Sequence, residues 1–186
     1  MNTTFFIRHA ETEMAGRFCG HSDPDLNAEG HSQLTALADL LSAERIESVY
    51  CSDLRRARST AQAIAATRDI PLKLRPELRE IDFGQWEGLS WEQVEQIYPE
   101  HARKWMDAFP NLAAPAGESG PAFEARILEE VHCLLERDPG PMAVVTHAGV
   151  LRVVLRHLCG CSEPEAWQQT KSYCCVVRYE AKGESK

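Results

Sequence analysis

The chain has 186 residues, with 20 Lys and Arg against 28 Asp and Glu, so its formal net charge is −8. That length suits one domain, here expected over residues 1–186, and 44% apolar with 26% charged residues describes an ordinary globular protein. The acidic balance argues against nucleic acid or an anionic membrane as the main partner, but it leaves room for a small anion held by a local cluster of cations.

No apolar run is long enough to span a bilayer. Met1 to Thr12 has only Phe5-Phe6-Ile7 as an apolar core, with Arg8 and Glu11 close behind, so it does not read as a signal peptide. A cytoplasmic location is expected. Thr4 to Ile7 is predicted as a strand, and Gly16 to Leu26, rich in turn residues, as a loop. Asn27 is a good N-cap, and Leu34, Leu37, Ala38 and Leu41 then recur at helical spacing. Val49 to Cys51 reads as a second strand, with Ser52 or Asp53 capping a helix to about Thr67. Pro71 to Leu74 is a weaker strand, and Glu77 to Leu89 a loop.

Trp91 to Phe109 reads as one or two helices broken near Pro99. Asn111 to Gly120 is the expected mobile segment. Pro121 suits a helix start, and Phe123, Ile127, Val131 and Leu134 line one face of the helix that follows. Met142 to Thr146 is the clearest strand. The next helix turns Val150, Leu151, Val154, Leu155 and Leu158 inward, and Tyr173 to Tyr179 is a last strand. Strands alternating with helices imply a three-layer α/β/α sandwich around a mostly parallel central sheet.

In such sheets ligands bind at the carboxyl ends of the strands. The first strand exits into Arg8-His9, the second into Ser52 and then Arg55, Arg56 and Arg58, and the Met142 strand into His147-Ala148-Gly149. Cations in a helix's first turn oppose its dipole, so those arginines are not placed for helix stability. Histidines, arginines and helix N-termini at neighbouring strand ends suit a tetrahedral oxyanion, above all a phosphoryl group. Singly, Arg55 and Arg58 read as a solvated, ion-paired face, and His147 as a satisfied core histidine. The functional reading rests on the conjunction.

Other chemistries lack their motifs. His9-Ala10-Glu11 has no P-C-x-x-C partner for a zinc deaminase. Gly117-Glu118-Ser119-Gly120 is followed by Pro121, where a serine-hydrolase elbow needs glycine. There is no Walker loop and no G-x-G-x-x-G. Cys19, Cys51, Cys133, Cys159, Cys161, Cys174 and Cys175 form no C-x-x-C pair and read as reduced thiols. No metal and no cofactor is expected.

Arg8-His9-Ala10-Glu11-Thr12 resembles the R-H-G-E-T signature of the histidine phosphatase, or phosphoglycerate mutase-like, superfamily. Ser52 to Ala57 resembles its S-x-L-x-R-A segment, with the arginine at Arg56. Leu78 to Gly84 resembles the segment of the acidic catalyst, at Glu80, and Thr146 to Gly149 that of the second histidine. Arg17 to Asp23, Phe83 to Gly88 and Gly117 to Ser119 together look like the alpha-ribazole phosphatase type, which acts in cobalamin synthesis. Ala10 stands where glycine is usual, and Ala15 where an asparagine is often found.

The resemblance implies a phosphoglycerate mutase-like fold and hydrolysis through a phosphohistidine. His9 would be the nucleophile. Arg8, Arg56 and His147 would hold the phosphoryl oxygens, with the amides of Ala148 and Gly149 as further donors. Glu80 would serve as acid and then base. The nucleophilic nitrogen needs its lone pair, so the other is expected to donate to a carbonyl or carboxylate. Gly20, His21, Ser22, Glu118 and Ser119 are expected around the substrate, and Trp86 either there or in the core. His31, His101, His132 and His157 read as structural or solvated. The partner would be a small phosphorylated substrate, and the chain a monomer or homodimer. The alternatives are a phosphoglycerate mutase, a broad-specificity phosphatase, and an inactive module that binds phosphorylated ligands.

Overall fold

The structure, a computed structural model, describes residues 3–108 and 111–181. The elements run β1 (Thr3–Arg8), α1 (Ala28–Leu40), β2 (Ser48–Cys51), α2 (Arg55–Ala66) and β3 (Leu72–Leu74). After 3-10 turns at Pro76–Leu78 and Gly84–Trp86 come α3 (Trp91–Ile97), α4 (Pro99–Ala108), α5 (Gly120–Arg137) and β4 (Met142–Thr146). α6 (Ala148–His157), α7 (Glu163–Gln169) and β5 (Val176–Glu180) complete the chain. Among the described residues no helix is long and apolar enough to cross a membrane.

The strand order is β3-β2-β4-β1-β5. Neighbours are parallel except β5, which runs antiparallel to β1 at the edge. Strands β1, β2 and β4 are short apolar runs buried on both faces, as a helix-covered parallel sheet requires. Phe5, Ile7, Val49, Cys51, Ala143 and Val145 point to one face, against Leu37 of α1 and Ala57, Ala61 and Ile64 of α2. Phe6, Tyr50, Val144 and Val177 point to the other, against α5, α6 and Ala166 of α7. The strand alternation thus builds two cores and three layers. Trp86, Val94, Ala102 and Ala114 form a further cluster that ties α3 and α4 to Phe18 and Phe83.

Several expectations need correction. Neither Ser52 nor Asp53 caps α2: the cap position is Leu54, and it makes no side-chain bond. Arg79 draws Asp53 away, with Nε and Nη2 donating to its carboxylate at 2.7 and 2.5 Å. The Arg55 N–H finds its acceptor in the loop instead, at Asp23 Oδ1, 2.6 Å away. β5 starts at Val176 rather than Tyr173, because Cys174 adopts φ 54° and turns the preceding residues out of the ladder. Helix α7 has no expected counterpart, although the Ser162/Glu165 capping box and an early proline mark its start. The segment 111–120 is tied down, with Gln85 N–H donating to Pro115 O and Glu118 N–H to Asp82 O, each at 2.9 Å. The break at Pro99 is as expected, while Phe109 lies outside the described residues.

Helix α5 buries the face its spacing predicts, Phe123, Ile127, Val131 and Leu134. Ile127 is fully buried, so Ile127→Ala is expected to cost about 2–5 kcal/mol of unfolding free energy. Urea titration checks this. A loss well below 1 kcal/mol would contradict the packing.

Candidate active site

Three parallel strands end level with one another. β1 pairs with β4 so that Arg8 lies opposite Thr146, and β4 pairs with β2 so that Val145 lies opposite Cys51. The next residue on each strand is still tied in: the His9 N–H donates to Thr146 O at 2.9 Å, and the Ser52 N–H to Val145 O at 3.0 Å. His9 and His147 therefore stand side by side on adjacent strands, their ring centres 5.1 Å apart.

His9 is 7% exposed. Its Nδ1 lies 2.7 Å from the carbonyl oxygen of Ala10. A carbonyl only accepts, so Nδ1 carries the hydrogen, and the lone pair of the neutral ring is on Nε2. Burial, and then the Arg56 guanidinium, holds His9 well below its ordinary value of 6.5; for His147 burial and Arg56 act in the same direction. Ala10 is not among the described residues with positive φ, so alanine is unstrained there.

Arg56 is fully buried. Its Nη1 donates to Ser22 O and its Nη2 to Gly20 O, both at 2.7 Å, which leaves Nε without a partner among the described residues. Arg55 is exposed and paired with Asp23 and Asp25, and Arg58 is exposed, as their solvated readings anticipated. Arg8 donates through Nη1 to Thr170 O and Lys171 O at 2.9 and 2.6 Å. Its guanidinium lies 3.9 Å from the centre of the Tyr173 ring, and its Nε is also unpartnered. His147 is fully buried, and neither ring nitrogen has a hydrogen-bond partner among the described residues.

Glu80 closes the site from the loop after β3. Thr146 Oγ1 anchors that loop by donating to Leu78 O at 2.8 Å. The Glu80 carboxylate accepts from the N–H of Gly149 at 2.9 Å and of Ile81 at 3.0 Å. The contact with Gly149 needs glycine, since a Cβ there would lie 2.2 Å from Glu80 Oε1.

Two histidines, two arginines and a carboxylate thus converge where the parallel strands end. The family model of the histidine phosphatase superfamily (branch 1) matches residues 4–186. The chain belongs to this superfamily. It is 31% identical over 166 residues to the adenosylcobalamin/alpha-ribazole phosphatase of Escherichia coli K12, covering 88% of this chain and 82% of that one. It is 33% identical over 166 residues to phosphoserine phosphatase 1 of Hydrogenobacter thermophilus, covering 87% and 78%. The crystal structure of the alpha-ribazole phosphatase from Shigella flexneri superposes with a TM-score of 0.88 at 28% identity, over 97% of this chain and 91% of that one.

The other expected residues of this histidine phosphatase fall into two groups. His21 lies near enough to act electrostatically on His147; its Nε2 is buried with no partner among the described residues, and Nδ1 is 3.7 Å from Asp82. Apart from Ala148, the rest are occupied in holding the fold. The Gly20 and Ser22 amides donate to the Glu87 carboxylate, while their carbonyls accept from Arg56, so this loop positions Arg56 rather than offering donors to a ligand. The Gly149 amide is likewise taken by Glu80. Ala148 lines the cleft beside His9. Glu118 lines a neighbouring cavity, but its carboxylate is gripped by Arg126 Nε and Nη2 at 3.0 and 2.6 Å. Ser119 is the N-cap of α5, accepting from the Ala122 N–H. Trp86 is fully buried against Phe18, Trp91 and Trp105 and belongs to the core. His31 and His132 are exposed, His157 pairs with Glu124, and His101 packs on Trp86. Ala15 is exposed on the rim loop.

Sequence reasoning missed Tyr173, Arg126 and Arg152. Tyr173 stacks on Arg8 and stands 5.7 Å from the His9 ring. Arg126 gathers the loop before Glu80 by donating to Glu77 O and Arg79 O. Arg152 lines the cleft and stacks on Trp167 at 3.3 Å. Its only sequence signal is a charge on the otherwise apolar inward stretch of α6.

Beside the cleft lies a cavity of about 160 Å³. It shares Phe18, Glu80, Phe83 and Arg152 with the cleft and extends to Ile81, Trp105, Phe123 and Trp167.

Two buried neutral histidines make stability depend on pH. As pH falls through the ordinary value of 6.5, the unfolded chain takes up protons that folded His9 and His147 refuse, so stability is lost toward acid. The melting temperature is expected to drop between about pH 7.5 and about pH 5.5, and to drop less in His147→Gln. An equal slope in the variant would contradict the neutral pair.

Proposed function

We propose that this histidine phosphatase hydrolyses phosphomonoesters without a metal, through a phosphohistidine on His9, and that it prefers esters with a flat, apolar leaving group. Alpha-ribazole 5′-phosphate is the leading substrate. The observation that carries the reading is the set of buried nitrogens near His9 that have no partner among the described residues: Nε of Arg8, Nε of Arg56 and the ring nitrogens of His147. Buried donors left unpaired are costly. An oxyanion beside His9 Nε2 would give an acceptor to each guanidinium Nε–H and to the one ring N–H of neutral His147, and it is the group on which that lone pair acts.

In the first half-reaction His9 Nε2 attacks phosphorus. The P–N bond forms as the ester P–O bond breaks, and the leaving oxygen takes a proton from Glu80. In the second, water attacks phosphorus, Glu80 takes its proton, the P–N bond breaks, and phosphate leaves neutral His9. Charge builds on the phosphoryl oxygens, so fixed cations at Arg8 and Arg56 and a donor at His147 lower the barrier by electrostatic preorganisation. Glu80 lies in the wall shared by cleft and cavity, where the leaving oxygen must pass.

The cavity supports the substrate class. Phe18, Phe83, Trp105, Phe123 and Trp167 suit an aromatic body better than the small charged body of phosphoserine. The Escherichia coli and Shigella flexneri relatives named for alpha-ribazole favour the same substrate. Free thiols at all seven cysteines suit a reducing cytoplasm.

Phosphate release in EDTA, compared across alpha-ribazole 5′-phosphate, phenyl phosphate, 3-phosphoglycerate and phosphoserine, tests the reading. The expected order puts the aromatic esters at least about tenfold ahead in kcat/KM, on the scale of one well-filled apolar contact. Preference for phosphoserine would overturn the leaving-group assignment. Exchange on 3-phosphoglycerate without net release would make the chain a mutase, and no turnover at all would make it a binding module.

A further inference from the structure

The reactive nitrogen of His9 is chosen by a hydrogen bond to a single backbone carbonyl, that of Ala10. That carbonyl belongs to the peptide joining residues 10 and 11, whose other polar end is the N–H of Glu11. This N–H donates to the side-chain oxygen of Gln33, on α1, at 3.0 Å. Gln33 lies in none of the motifs that carry the chemistry, and among the described residues its side chain is linked to the nucleophile through this peptide.

The surroundings make the grip specific. The Asn27 N–H donates to Glu11 O at 3.2 Å, and Asn27 Nδ2 donates to Glu11 Oε1 at 2.8 Å. One turn on, Gly30 lets the helix press against the same residue, since a Cβ there would lie 2.1 Å from Glu11 O. One further turn on stands Gln33. Asn27, Gly30 and Gln33, three apart in sequence, thus form one face of α1 that holds Glu11 by its N–H, its carbonyl and its side chain. The preceding peptide is held separately: the Ala10 N–H donates to Thr60 Oγ1 at 3.0 Å, and Thr60 Oγ1 donates to Arg56 O at 2.8 Å.

We propose that Gln33 is a positioning residue for the nucleophile: by holding the 10–11 peptide it aims and polarises the Ala10 carbonyl, and so keeps the His9 hydrogen on Nδ1 and the lone pair on Nε2. An amide whose N–H is engaged is a stronger acceptor at its carbonyl. Without Gln33 the peptide is free to tilt, the Nδ1 bond weakens, and the tautomer with hydrogen on Nε2, which cannot attack phosphorus through that atom, gains population. The kinetic consequence rests on the phosphohistidine reading. The tautomer itself does not.

The test compares Gln33→Leu, which removes the acceptor, with Gln33→Glu, which keeps one. Long-range nitrogen NMR of the imidazole of His9, in the full chain at neutral pH, reads the tautomer directly, and rapid-quench labelling reads the rate of phosphoenzyme formation. In Gln33→Leu the hydrogen is expected to redistribute measurably to Nε2 and labelling to slow by about tenfold or more, while Gln33→Glu keeps the wild-type tautomer and recovers most of the rate. An unchanged tautomer in Gln33→Leu overturns the proposal. So does an equal loss of rate in both variants with wild-type tautomers, which would mark a merely structural role. If wild type forms no phosphoenzyme, the phosphatase reading fails, and the NMR comparison still decides what Gln33 does.

Discussion

The active site depends on keeping one histidine neutral among cations. Burial and the Arg56 and Arg8 guanidinium groups all press His9 away from its protonated form, and the same cations are what a phosphoryl group requires. On the proposed mechanism one arrangement serves both tasks: it leaves the lone pair on Nε2 and would surround the incoming phosphorus with positive charge. The cost is a row of buried nitrogens with incomplete hydrogen bonding, found at Arg8, Arg56, His21 and His147. Strain of this kind concentrates at sites where a ligand completes the network.

Strand register turns that requirement into geometry. Parallel pairing of β1 and β4 brings His9 and His147 to one level, with Ser52 after β2 one residue behind, so the two imidazoles meet at strand spacing with no help from loops. Loops then trim the site. The 19–22 loop is held between the Glu87 carboxylate and the Arg56 guanidinium, which fixes the cation in place. Arg126 and Thr146 hold the loop that delivers Glu80 to the start of α6. The aromatic cluster around Trp86 sets Phe18 and Phe83 as the wall between the His9 cleft and the apolar cavity.

The parts legible in the sequence are those where chemistry abuts an apolar run. Arg8-His9 and Thr146-His147 follow the two clearest strands, and α5 shows its buried face in the spacing of Phe123, Ile127, Val131 and Leu134. Spacing alone did not choose among Arg55, Arg56 and Arg58; the resemblance pointed to Arg56, and burial separates it from its exposed neighbours. The illegible parts are pairings between distant segments. Asp53 looked like a helix cap because it sits before α2, but Arg79 from the next loop takes its carboxylate. Glu118 and Ser119 looked like substrate contacts because their motif did, yet one is bound to Arg126 and the other caps α5. Tyr173 read as strand, because nothing local announces the turn at Cys174 that brings its ring onto Arg8.

The proposed mechanism requires one particular nitrogen of His9, Nε2, to take the phosphoryl group. The most direct measurement is acid-free trapping of the phosphoenzyme during turnover, with phosphorus NMR and mass spectrometry to locate the label. A single phosphoryl group on His9 Nε2, absent from His9→Ala, is the predicted result. A label on Nδ1, on another residue, or persisting in the variant would contradict the site as built here.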